Sequence, residues 1–474
     1  MMIHRRLHAA VLAASLISLA LPAPVFADAS APSFTSLIEA GRADALADRP
    51  QEALTSFQTA LAAAHGGDEE RVARFGIGRM LLWLGRYDEA STVYETLLQS
   101  GLDPADKQIA LAGEVKSLAY RNRPRSAYRA TQHSAVTSSD LAIATAQAAS
   151  WSGWSDKARD VLVRNRNVIA QLPPGSSLAQ QARSIIDNVH RDTSTGVSLT
   201  DAYSHDSDGL SDNDVVASVR QPLGRTTTVD ATARRFDLHS DGWALQGTET
   251  RVGVELRPAD AVSVVANAGQ ARYDGWNAPV WSGEIAYQSS DQLRIAAYGQ
   301  GEVVETRSAI ADRITAETTG ATVQVVPMAP VTVSAGAFGQ RFSDGNVRHG
   351  LSGTVALAAL PAVGVGVEFR ERMFSDRYEG AAGYFSPGRY DEQEYLLTFR
   401  RRVHGWQFDG LGGIGHRITS GQAPGTTSIF ALSARGPLGG CLRLEASVSS
   451  ADSAVSSASG YRRTAASLGF SCAL

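Results

Sequence analysis

The residues that invite a chemical reading are paired carboxylates. Glu392 and Glu394, or Glu368 and Glu371, are the pairs from which a glycoside hydrolase would draw its acid and base. They fall in segments of strict alternation, where such pairs usually line a wall, and no motif singles out one as acid and the other as base. The ten histidines are scattered, and beyond residue 8 none stands at HxH or HxxxH spacing, so no metal site is expected. The VGVGV run around Gly364 lacks the lysine and the following helix of a phosphate loop. No catalytic residue and no cofactor is therefore expected. Charge excludes a further class. All three lysines (Lys107, Lys116, Lys157) precede residue 160, and from residue 195 onward 24 Arg face 29 Asp and Glu, a net of −5. There is no basic surplus for nucleic acid.

Three kinds of segment carry these residues. Arg5 and Arg6 precede an apolar run from Ala9 to Leu21 that is too short to span a bilayer and is broken by Pro22 and Pro24. Val25 and Ala27 suit a signal peptidase, so residues 1–27 read as a secretory leader; an uncleaved anchor is the alternative. Residues 28–192 show helix periodicity. Ala53, Ala90, Ala127 and Ala158 recur at intervals of 37, 37 and 31, and twelve residues before them stand Gly41, Gly78, Val115 and Ala146. With the segment FGIGRMLLWLGRYDEASTVYETLLQ, this spacing resembles the tetratricopeptide repeat, in which small residues let paired helices approach. A plain helical bundle is the alternative.

From residue 193 to 474 the period changes to two. Val252, Val254 and Leu256 alternate with Arg251, Glu255 and Arg257. Leu442, Leu444, Ala446 and Val448 alternate with Arg443 and Glu445, and Tyr395, Leu397 and Phe399 with Thr398 and Arg400. Charge on one face and apolar residues on the other is the pattern of a lipid-facing wall around a wet interior. Sixteen strands fit. Short connections are expected near Pro222, Pro258, Ser290, Pro327, Pro361, His404 and Pro437, alternating with mostly longer polar ones such as HDSDGLSDN, VETRSAIADR, SDRYEGAAGYFSPGRY and SSADSAVSSASG. The expected fold is thus an α-helical repeat domain followed by a 16-stranded antiparallel outer-membrane β-barrel, with no helix after residue 200; a β-sandwich or propeller is the rival. Arg251, Glu255, Arg257, Arg294, Glu368, Arg370, Arg400, Arg443 and Glu445 are expected to line a polar pore, with Val254, Leu444 and Phe399 facing lipid.

Two stretches carry a family resemblance. GYFSPGRY (Gly383–Tyr390), followed by LLTFRRRVHGWQF, resembles the C-terminal barrel region of the bacterial cellulose synthase outer-membrane subunit. RFSDGN (Arg341–Asn346) is similar to a loop of poly-N-acetylglucosamine export porins. The resemblance implies export of an exopolysaccharide through the outer membrane, with the repeats in the periplasm recruiting synthase or modification partners. A barrel-anchored scaffold without transport is the alternative, and a barrel-embedded hydrolase a third. Trp243, Trp276, Trp281, Tyr384 and Phe385 fall in or near the long loops, as sugar contacts or as an interfacial aromatic girdle. Cys441 and Cys472 are placed to face each other across the last hairpin, where a disulfide can form in an oxidising compartment.

Overall fold

The computed structural model describes residues 32–207, 209–381, 383–403, 405–452 and 462–474; the expected leader, His404 and most of the SSADSAVSSASG loop lie outside the described residues. Ten helices come first: α1 Phe34–Leu46, α2 Pro50–Ala62, α3 Gly67–Trp83, α4 Tyr87–Gln99, α5 Pro104–Tyr120, α6 Pro124–Ala130, α7 Ser139–Trp151, α8 Ser155–Arg164, α9 Arg166–Ala170 and α10 Ser177–Thr193. Four helix–turn–helix units stack in order. Ala53, Ala90, Ala127 and Ala158 are fully buried, and so are Val115 and Ala146. Small residues are needed there because rings fill the gap between units. A Cβ on Gly41 would stand 2.8 Å from the Phe57 ring, and one on Gly113 2.2 Å from Tyr94. Each turn passes through a left-handed residue at the same place in the unit: Asp48, Gly85, Asn122 and Gly153.

Sixteen strands follow: β1 Gly196–Asp206, β2 Ser211–Pro222, β3 Thr227–Ser240, β4 Trp243–Ala259, β5 Val262–Tyr273, β6 Trp276–Tyr287, β7 Leu293–Val303, β8 Thr315–Met328, β9 Val331–Phe342, β10 Val347–Leu360, β11 Val365–Asp376, β12 Tyr390–Val403, β13 Trp406–Thr419, β14 Gly425–Gly439, β15 Leu442–Ala451 and β16 Arg463–Ala473. Every neighbour pair is antiparallel, and β1 pairs with β16, so the sheet closes without an edge. The outward positions are apolar over most of their length and exposed, as Val252, Leu397, Phe430, Leu432 and Leu468 show. A closed barrel with an apolar outside and charged residues inside is an outer-membrane β-barrel.

Among the described residues, the short turns near Pro222, Pro258, Ser290, Pro327, Pro361 and Pro437 stand where the turn signals put them, all at one mouth, the near mouth, where the helices sit. At the far mouth the connections are less uniform than their sequence suggests. Asp241–Gly242 and Asp274–Gly275 are two-residue turns, each with a glycine at positive φ (68° and 76°), so β3–β4 and β5–β6 are tight hairpins. VETRSAIADR is not a plain loop: Arg307–Ala311 forms a short helix, α11. The expectation of no helix beyond residue 200 is thus corrected. The reason is burial, since Ala309 and Ile310 find an apolar surface inside the barrel.

Candidate functional site: the barrel interior and its two mouths

Residues lining the internal cavity fix which parity of each strand points inward, and the register carries that parity to neighbouring strands. All nine charged residues expected inside are on inward positions. Most are held in pairs along or across strands: Arg251 with Glu249, Arg257 with Glu255 (2.7 Å), Arg294 with Glu284, Arg370 with Glu368, and Arg400 with Asp409. Glu445 stands opposite Arg435 on β14 and Arg443 opposite Ser471 on β16. Val254, Leu444 and Phe399 are on the outward parity. Of the paired carboxylates, Glu392 and Glu394 point inward and are buried, whereas Glu371 faces outward and accepts a hydrogen bond from Gln393 (3.2 Å). Glu368 and Glu371 therefore stand on opposite parities of β11, although Glu371 also borders the cavity.

The wall is uneven. From β3 to β12 its inward side is filled. Aromatic rings lie over glycines of the adjacent strand: Phe236 over Gly247, Tyr298 over Gly320 and Phe338 over Gly350. Guanidinium groups stack on rings, Arg348 4.4 Å from the Phe374 centroid and Arg372 5.2 Å from that of Phe338. From β14 through β16 to β2 the middle of the wall is small and hydroxylated: Ser433, Ser447, Ser449, Ser467, Gly469, Ser198, Thr200 and Ser218. Ser447 bonds Ser467 (2.7 Å) and Ser198 bonds Ser218 (2.6 Å). The cavity of about 690 Å³ is bounded by carboxylates and guanidiniums in near balance, among them Asp212, Glu249, Glu302, Arg251, Arg370 and Arg463.

At the far mouth the interior is not polar throughout, contrary to expectation. Phe236, Leu238, Ala271, Tyr273, Ala278 and Val280 form a buried cluster closed by Ile310 of α11. The loop bearing α11 is fastened from below and above. Arg234 of β3 binds Glu305 (2.6 Å), Asp214 (2.7 Å) and Asp212 (3.2 Å). Thr306 donates to the Gly383 carbonyl, and a Cβ on Gly383, whose φ is 106°, would stand 3.1 Å from the Ala309 backbone nitrogen. The two stretches singled out in the sequence meet here. The Tyr384 ring stacks on Phe342 (4.2 Å) and its hydroxyl donates to Asp344 (2.9 Å). Arg348, with its side chain 4% exposed, pairs with fully buried Asp376 and also donates to the Phe385 carbonyl. Sequence reasoning did not find Arg234, Arg348 or their acidic partners, because alternation gives the face of a residue and not the loop that folds onto it.

The four aromatic candidates are accordingly occupied. Trp276 stacks on Tyr273 (4.6 Å), Trp243 packs on the apolar cluster, Tyr384 is 5% exposed, and Phe385 meets Phe374 and Tyr390 edge-on. Each of the four therefore packs against other side chains at the far mouth. Trp281 points outward over Gly299 and Gly301, as a girdle residue would.

At the near mouth the helices are bound to three turns. Asp291, between β6 and β7, accepts from the backbone N–H groups of Arg125 (2.8 Å) and Ser126 (2.9 Å). It thereby caps α6, whose own N-cap residue makes no side-chain hydrogen bond. Trp154 and Arg125 donate to the Asp260 carbonyl between β4 and β5, and Lys157 pairs with its carboxylate. Arg225, between β2 and β3, binds Asp160 (3.1 Å). Cys441 and Cys472 form a disulfide on this side (Cα–Cα 4.9 Å), tying the start of β15 to the end of β16.

No match was found among protein-family models or curated protein sequences. Solved structures share the barrel. A bacterial polysaccharide outer membrane secretin is 14% identical with a TM-score of 0.49, covering 60% of this chain and 99% of its own. A BenF-like porin from Pseudomonas fluorescens Pf-5 is 10% identical (TM-score 0.36; 59% of this chain, 98% of its own), and Pseudomonas aeruginosa OccK11 (OpdR) is 11% identical (TM-score 0.35; 59% and 95%). At these identities the likeness concerns the barrel alone.

Proposed function

We propose that the protein is an outer-membrane channel for export of an uncharged or weakly charged exopolysaccharide, cellulose-like or poly-N-acetylglucosamine-like. The observation that carries this reading is the inward wall from β14 to β2. We read this strip of serine, threonine and glycine as the side along which a hydrated chain would pass. Charged groups elsewhere on the inner wall are paired, Arg251 with Glu249 and Arg370 with Glu368, so a polymer would meet hydroxyls and balanced charge instead of a sticky field. No step of bond chemistry is assigned; the interior residues hold water and exchange weak hydrogen bonds with sugar hydroxyls. The helices are repeats of the tetratricopeptide kind, placed in the periplasm at the near mouth, where they recruit synthase or modification enzymes or guide the nascent chain. The contact between the RFSDGN turn and the YFSP loop supports the resemblance to polysaccharide exporters, since the two stretches that suggested it form one assembly.

One observation favours a second reading, a barrel-anchored scaffold. The α11 loop and the YFSP loop fold together inside the far mouth. The two readings part in a strain lacking the gene. Export predicts that the full chain restores surface polymer, and that removal of residues 30–190 leaves a heat-resistant barrel but no polymer. A scaffold predicts unchanged surface polymer when the lumen alone is blocked.

A further inference from the structure

We propose that the turn edge of the helical domain is a glycan-binding track, built on Trp83, Tyr120 and Trp151, that ends at the near mouth of the barrel. This rests on the export reading and names the surface the chain would follow before it enters the lumen. The last residues of α1, α3, α5 and α7 occupy one position of the repeat: Leu46, Trp83, Tyr120 and Trp151. Each stands two residues before the left-handed residue that makes the turn. All four are exposed, at 90%, 53%, 43% and 41%. Burial is not what puts aromatics there, since the core of each unit is complete without them.

Three rings join into a ridge, and Trp83 holds the equivalent repeat position in the unit before it. Tyr87 stacks on Tyr120 at 5.2 Å, and Tyr120 meets Trp151 edge-on at 5.5 Å. Ionic and hydrogen-bonding groups flank it, with Arg121 on Asp88 and Arg86 on Glu89. The ridge also leads somewhere. The turn after Trp151 touches the barrel, as the start of α6 beyond Tyr120 also does: Trp154 donates to the Asp260 carbonyl, and a Cβ on Gly153 would stand 3.3 Å from Nη1 of Arg257, an inward residue paired with Glu255. An aromatic line therefore runs from the second unit to the charged rim of the lumen.

The occupant that fits is a sugar chain. A pyranose sets its axial C–H face against an aromatic ring and turns its hydroxyls to polar groups at the side, which is what a ridge one ring wide with charged flanks offers. A partner helix needs a groove with anchors at helical spacing, and a partner strand needs an unpaired sheet edge; neither feature belongs to this ridge.

The test uses the full chain in detergent micelles, titrated calorimetrically with cellohexaose and with the hexamer of N-acetylglucosamine. The wild type is expected to bind at least one of them, and W83A/W151A to weaken that binding by roughly tenfold or more, with helical circular dichroism and heat-resistant migration unchanged. Y120F, which keeps the ring, should bind as the wild type does. Wild-type affinity in the double variant, or no binding of either hexamer by the wild type, overturns the track. So does a double variant that binds normally yet leaves cells without surface polymer, because the ridge would then serve a protein. Loss of the export reading is seen separately, as equal surface polymer with and without the gene.

Discussion

The two sides of the barrel are built by the same rule and end differently. Between β3 and β12, inward positions carry Phe, Tyr, Leu and Arg, and rings, ion pairs and a folded loop occupy the interior. Between β14 and β2 the inward positions at mid-height carry Ser, Thr, Gly and Ala, with one valine, Val216. Alternation is equally strict on both, so alternation decides which side chains face in, and side-chain volume decides whether space is left. The filled side gives the barrel rigidity and holds the far-mouth loops. The bare side is where the export reading places the chain.

If that division is right, the largest effect belongs to a bulky residue on the bare side. Ser467→Trp should abolish surface polymer and lower single-channel conductance severalfold, while Tyr298→Ala on the filled side should leave both near wild type; planar-bilayer recordings and polymer staining distinguish the two. Replacing residues 305–313, which carry α11, with a short glycine–serine linker should raise conductance roughly twofold, because the loop fills the far mouth from the filled side only. Unchanged conductance would mean that the loop does not restrict the path. Arg348→Ala leaves the fully buried Asp376 without its partner and should cost about 3–5 kcal/mol in urea unfolding of the micelle-bound barrel. A charge change on the bare side, Ser433→Asp, should cost far less. The smallest effect is expected for Cys441→Ser with Cys472→Ser. The entropy model gives a few kcal/mol for their separation of 31 residues, but the β15–β16 ladder already holds the strands, so about 1 kcal/mol or less is expected.

The helical domain behaves differently again and can be followed by pH. Glu114 on α5 is buried and accepts from the Ser91 hydroxyl (2.9 Å); burial raises its carboxyl from the ordinary 4.5 to about 7. A raised folded-state value stabilises the fold below the unfolded value and is lost above the folded one. Helix unfolding should therefore become easier as pH rises from about 4.5 to about 7 and then level off, and Glu114→Gln should flatten that slope while the barrel stays unchanged.

Much of this architecture is readable before any coordinates. Strand number, parity and near-mouth turns follow from period two and from proline and other turn residues at the connections, since a one-residue slip would put Arg251 or Glu445 in lipid. The repeat is legible in Ala53, Ala90, Ala127 and Ala158 because only a small residue fits between packed helices. What the sequence hides is long-range. The far-mouth candidates Trp243, Trp276, Tyr384 and Phe385 look like free loop aromatics, yet each is packed against another segment, and α11 is short enough to pass for a loop. Arg234 reaches Glu305 across 71 residues, a contact that no local period records.

The most direct test of the export path is the accessibility of Ser467→Cys in living cells. A small charged thiosulfonate reagent should label this cysteine slowly in cells making polymer and rapidly in cells whose synthase is inactive, because the chain lies along the bare wall. Equal labelling in both, in cells that display polymer, would place the chain elsewhere and contradict the account.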